Sequence, residues 1–187
     1  ADSVVFNRSL ETAQLSIRGC RFHDLRGRGI LLQGSDALIE GNVFERTTGS
    51  PVSIEICVEP RWQEGYGVSN VIIRGNRFIE CPPLGSRAFV QGSTAAPGLL
   101  SDILIESNDF VNGHPVRPAM LLNALTRVQV LGNTFRSPPT NGEGPERSAL
   151  RLSRCGPVRV EGNSWVEALP REKPIVFVDE QSAACLT

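Results

Sequence analysis

Between positions 55 and 66 the chain gathers side chains suited to chemistry on a sugar: Glu55, Glu59 and Glu64, interleaved with Arg61, Trp62 and Tyr66. Two carboxyl groups flanking a glycosidic bond can supply a general acid and a base or nucleophile. The faces of Trp62 and Tyr66 suit pyranose rings, and the Arg61 guanidinium can orient hydroxyls or an anion. Glu55, Glu59 and Glu64 are therefore the candidate catalytic residues. Arg61, Trp62 and Tyr66 are candidate substrate-binding residues, joined by Gln91 and Asn123 for reasons given below. Spacing in sequence does not fix the distance between carboxylates, so retaining and inverting outcomes both stay open. The plainer alternative is a folded loop whose tryptophan packs on the scaffold and whose glutamates are solvated.

Other chemistries find little support. His23 and His114 stand in no metal or triad spacing. The five cysteines (20, 57, 81, 155 and 185) are odd in number, lack zinc-ligand spacing and read as small, free core thiols. No aspartate cluster of the kind a calcium-dependent lyase needs is present, and no glycine pattern forms a phosphate loop. No metal and no cofactor are expected. Net charge is −1, from 19 basic and 20 acidic residues, and Lys173 is the single lysine. That balance gives no electrostatic reason to expect nucleic acid or an anionic membrane as partner. No apolar run approaches the length of a membrane span, and no signal peptide is visible.

The elements that must position these residues follow from a repeat. Six segments share two apolar residues two apart, a variable residue, a small residue, Asn, any residue and an aromatic. They read LSIRGCRF (15–22), ALIEGNVF (37–44), VIIRGNRF (71–78), ILIESNDF (103–110), VQVLGNTF (128–135) and VRVEGNSW (158–165). Cys20 replaces Asn in the first. Successive starts are 22, 34, 32, 25 and 30 residues apart, the scale of a solenoid. A period of two within each copy predicts a strand, and the Asn, tolerant of left-handed backbone, predicts a sharp bend into a second strand. Stacking would align Asn42, Asn76, Asn108, Asn133 and Asn163 in an internal ladder. Phe22, Phe44, Phe78, Phe110, Phe135 and Trp165 would form an aromatic column.

A further β segment follows each copy: 29–34, 52–57, 88–92, 119–123, 149–153 and 175–179. Three strands per coil predict an all-β, right-handed parallel β-helix of about six coils, one domain over 1–187 that could be a fragment of a longer protein. The column two residues before each Asn reads Arg18, Glu40, Arg74, Glu106, Leu131 and Glu161, whose alternating charges support this register. Outward positions of the third strand are expected to read Leu31, Glu55, Phe89, Leu121, Arg151 and Phe177, an apolar row calling for a cover. The neighbouring row would read Gln33, Cys57, Gln91, Asn123, Ser153 and Asp179, polar enough to line a groove. The long connections 58–70 and 92–102 would wall that groove from one edge. Residues 1–14 show no obvious polar cap, so the open first coil is a second expected association surface.

The G-N-x-F coils resemble those of pectin-lyase-like β-helix proteins over nearly the whole chain. Residues 26–34 with the following ALIEGNVFERTTGSPV, and WQEGYGVSNVIIRGNRFIEC (62–81), resemble the bacterial α-1,3-galactosidase family of glycoside hydrolases. In that family a similar Trp-x-Glu-Gly loop precedes a coil strand, with catalytic carboxylates nearby. Where acidic residues would be expected ahead of the tryptophan, this chain has Cys57 and Val58, with Glu55 and Glu59 close by. The resemblance implies a carbohydrate-active hydrolase, α-galactosidase-like, secreted or periplasmic. A non-catalytic glycan-binding or assembly module is the alternative, and a polysaccharide lyase or epimerase the third reading.

Overall fold

The computed structural model describes residues 7, 9, 11–59, 62–81, 88–111, 118–136, 149–166 and 176–183, with Glu59, Trp62, Gln63 and Gln181 described by backbone alone. Each coil contributes three strands, the first two set by the repeated motif. The first coil holds β1 (Ser16–Arg18), β2 (Arg21–His23) and β3 (Ile30–Leu32). The second holds β4 (Ala37–Glu40), β5 (Val43–Glu45) and β6 (Val52–Ile56), followed by a hairpin of β7 (Val58–Glu59) and β8 (Trp62–Gln63). The third holds β9 (Val68–Arg74), β10 (Arg77–Ile79) and β11 (Val90–Thr94), and the fourth β12 (Leu100–Glu106), β13 (Asp109–Val111) and β14 (Met120–Asn123). The fifth holds β15 (Leu125–Leu131), β16 (Thr134–Arg136) and β17 (Leu150–Ser153), and the sixth β18 (Val158–Glu161), β19 (Ser164–Val166) and β20 (Val176–Val178). A short helix, α1 (Glu180–Ala183), follows. Equivalent strands pair in parallel into three six-stranded sheets, ordered β1-β4-β9-β12-β15-β18, β2-β5-β10-β13-β16-β19 and β3-β6-β11-β14-β17-β20. This is the parallel β-helix that the repeat predicts.

The bend between the first and second strands carries the expected ladder. From Asn76 to Asn163 each Asn Oδ1 accepts two hydrogen bonds from the coil before it: Asn108 Oδ1 takes the main-chain N–H of Asn76 at 2.9 Å and its Nδ2 at 3.0 Å. The other Nδ2 proton of Asn108 goes back to the Ile73 carbonyl at 2.9 Å. The pattern repeats from Asn42 to Asn163, and Asn42 Oδ1 caps the run by accepting the N–H of Cys20 at 2.9 Å. Asn42, Asn76, Asn108 and Asn133 are buried with their amides engaged, as interior polar groups must be. The left-handed residue is not the Asn, as expected, but the small residue before it. Gly41, Gly75, Ser107, Gly132 and Gly162 have φ of 62°, 60°, 55°, 60° and 63°. The bend is completed one residue earlier, which frees the asparagine to point inward.

The aromatic column also forms. Phe22, Phe44, Phe78, Phe110 and Phe135 stack with centroids 4.9, 5.0, 4.8 and 5.1 Å apart, and Trp165 tilts onto Phe135 at 6.0 Å. The charge column stacks in register, with Glu40 between Arg18 (3.3 Å) and Arg74 (2.6 Å). Of the cysteines, Cys81 and Cys155 are buried, and burial pushes both thiols up. Cys20 is exposed and Cys57 half-buried, so the expectation of core thiols holds for two of the four described; Cys185 lies outside the described residues.

The third sheet departs from the expected rows. Val52 pairs with Ile30 and Val90, so one outward row reads Leu31, Ser53, Gln91, Leu121, Arg151, Phe177. Beside it run Glu55, Ser93, Asn123 and Ser153. Glu55 thus sits two positions from its expected place. Phe89 is not on the outward face: it is 2% exposed and packs against Phe78 and Phe110 at 6.0 and 5.5 Å. The run Ala88-Phe89-Val90 is apolar throughout and cannot fix its own alternation. The strand begins at Val90, which leaves Phe89 to fill the corner between two sheets.

Candidate functional site

The outer face of the third sheet carries an open cleft of about 560 Å³. Its lining includes Arg28 from the first coil, Glu55 and Glu64 from the second, Ser93 from the third, Asn123 from the fourth and Arg154 from the fifth. Glu55, Ser93 and Asn123 project from outward positions of that sheet, Arg28 precedes β3, Arg154 follows β17, and Glu64 follows the β7–β8 hairpin. The coil stacking therefore assembles side chains that lie up to 126 positions apart in the sequence, from 28 to 154.

Glu55 is fixed from two sides. Its Oε2 accepts Arg28 Nη2 at 2.9 Å, and its Oε1 accepts Gln91 Nε2 at 2.5 Å. Gln91 is itself anchored, its Oε1 accepting the Ser50 hydroxyl at 3.2 Å. The second carboxylate arrives by the β7–β8 hairpin. Val58 and Glu59 pair antiparallel with Gln63 and Trp62, and the Glu64 N–H closes on the Cys57 carbonyl at 2.8 Å. Gln33 then receives it: one Nε2 donates to Glu64 Oε2 at 2.7 Å and to the Glu55 carbonyl oxygen at 3.3 Å. A single amide of the first coil thus ties both glutamate segments together. Gly65 makes this approach possible, since its φ is +69° and a Cβ there would stand 2.7 Å from Ile56 Cδ1.

Of the candidate site residues, Glu55, Glu64 and Asn123 line the cleft. Gln91 serves it indirectly, by holding Glu55. Tyr66 is half-buried and is not among the cleft's lining residues. Arg61 and the side chains of Glu59 and Trp62 lie outside the described residues. Of the expected walls, 58–59 and 62–63 pair as the hairpin and 68–70 belong to β9, while 92–102 is mostly strand, leaving only 95–99 between β11 and β12. Sequence reasoning missed Arg28, Ser93 and Arg154. The correct strand register would have placed Ser93 beside Glu55 and Asn123, but nothing marks the two arginines, which stand outside the strands. Among the described residues no group of His, Cys, Asp or Glu could hold a metal ion. No helix is long and apolar enough to cross a membrane.

Comparison with known proteins agrees with this architecture. The family described as the right handed beta helix region matches residues 5–164. A protein of Bacteroides fragilis named alpha-1,3-galactosidase A is 37% identical over 71 residues, which is 37% of this chain and 12% of that protein. The match thus spans about an eighth of that relative's length.

Proposed function

The chain belongs to the right-handed β-helix family, and from that premise we propose that it is a carbohydrate-active β-helix, a glycoside hydrolase whose acid and base are drawn from Glu55 and Glu64. The observation that carries this reading is that Glu55 and Glu64 line one open cleft, with Gln33 tying the Glu64 carboxylate to the main chain of Glu55. Partial kinship with a galactosidase points the same way. Glu55, its charge matched by Arg28 and its second oxygen held by Gln91, is oriented for the part of base or nucleophile. Glu64, brought in by the hairpin, then takes the part of proton donor. Asn123 and Ser93, linked at 3.2 Å, form a polar floor on which sugar hydroxyls can hydrogen-bond.

The test is release of reducing sugar from a panel of glycans that includes α-linked galactosides. Glu64→Gln and Glu55→Gln are each expected to lower release by about 10²–10⁴-fold, the usual contribution of a general acid or base, with little change in melting temperature. Full activity in both variants would remove these residues from the chemistry. Binding without turnover by the unaltered protein would favour the glycan-binding module instead.

A further inference from the structure

We infer that the cleft contains an anion subsite at Arg154, so that the sugar it prefers carries a carboxylate or a sulfate. This rests on the carbohydrate reading and goes further, since the two glutamates alone say nothing of the sugar's charge.

The two ends of the cleft differ in how their arginines are used. At the acidic end, Arg28 spends its charge on Glu55. At the other end, Arg154 follows β17 at a left-handed turn, with φ of 52°. Its main-chain N–H donates to Asp179 Oδ2 at 2.8 Å, and its Nε donates to Asn123 Oδ1 at 3.0 Å. The Nε bond fixes the direction of the guanidinium while leaving both Nη groups without a hydrogen-bond acceptor among the described residues. Asp179, the nearby carboxylate, is held by Ser182, whose N–H its other oxygen accepts at 2.8 Å, and the Arg154 charge helps to keep its carboxyl below the usual range. Arg154 forms no ion pair with any described residue. Arg151, in the adjoining outward row, forms none either, so the same face carries a second positive charge without an ion-pair partner among the described residues.

An exposed arginine on a flat surface would be ordinary. This one lines a concave site, is aimed by a neighbouring amide, and presents the planar fork that suits bidentate binding of carboxylate or sulfate. Asn123 also connects it to Ser93 and thereby to the row that contains Glu55. A sugar bearing its anionic group on Arg154 would extend along that row toward the carboxylates.

Titration calorimetry with galactobiose, its digalacturonate counterpart and 6-sulfated galactobiose tests the subsite and separates the two sources of charge. At least one anionic disaccharide should bind about tenfold more tightly than the neutral one, as a charge-assisted contact commonly provides. Added salt should shrink the preference. Arg154→Met should reduce the anionic ligand to the affinity of the neutral one with an unchanged melting temperature. Equal binding of all three, or a preference that survives Arg154→Met, overturns the subsite while leaving the carbohydrate reading intact. If none of the three binds, the subsite falls; if the wider glycan panel also yields neither binding nor cleavage, the carbohydrate reading falls with it.

Discussion

At the scale of single residues, the cleft is braced by two glutamine side chains that bracket Glu55, and one hydroxyl bears the consequence. Gln91 spans from Ser50 to Glu55 across the outward position of Ser53. Ser53 is completely buried there, and its Oγ has no hydrogen-bond partner among the described residues. A buried hydroxyl without a partner costs roughly 1–3 kcal/mol of desolvation. Ser53→Ala is accordingly expected to leave stability unchanged or to raise it by up to about 1 kcal/mol, read as the midpoint of urea unfolding. A clear loss would mean that the hydroxyl is satisfied in solution and that Gln91 does not lie over it. Small size is then what this position requires, because anything larger would lift Gln91 away from Glu55.

At the scale of elements, the hairpin between the second and third coils decides whether Glu64 reaches the cleft, and Gly65 is its pivot. Alanine at that position would have to hold a left-handed backbone, at about 1–2 kcal/mol, and would place its Cβ against Ile56 Cδ1. Gly65→Ala should therefore lower unfolding free energy by at least that amount and weaken glycan release by shifting Glu64. Unaltered stability would show that the turn is not left-handed in solution. The elements differ in how plainly the sequence announces them. The first two strands of each coil were legible because Asn and Phe recur at fixed offsets and both side chains are held by identical neighbours above and below. The third strand has no such marker. The expected row put Phe89, from the Ala88-Phe89-Val90 run, where Gln91 stands, and Glu55 where Ser53 stands, while its other four members are in place. Glu55, Glu64 and Asn123 could still be picked out by residue type. Arg28 and Arg154 could not, since their relevance arises only when five coils are stacked.

At the scale of the whole molecule, the site depends on the stack because the first five coils each supply part of the cleft's lining. Parallel strands fix the spacing of Arg28, Glu55, Ser93, Asn123 and Arg154 along the helix axis, so loss of one central coil would separate the acidic end from the arginine end. Phe78 is the natural place to test this. It is fully buried, stacks on Phe44 and Phe110, and also meets Phe89 at the corner that leads into β11. Phe22 has a single stacked partner and is only half-buried at the end of the column. Phe78→Ala should cost about 3–5 kcal/mol, the usual range for a central core aromatic, and Phe22→Ala less than half of that. Urea unfolding of the two variants measures the difference. If the stack transmits order along the axis, Phe78→Ala should also weaken glycan binding although no atom of Phe78 lines the cleft, whereas Phe22→Ala should leave it nearly unchanged. Equal losses in stability would mean that the end coil is as tightly packed as the middle. Unchanged binding in a destabilised Phe78→Ala protein would mean that the cleft residues keep their spacing without the column beneath them.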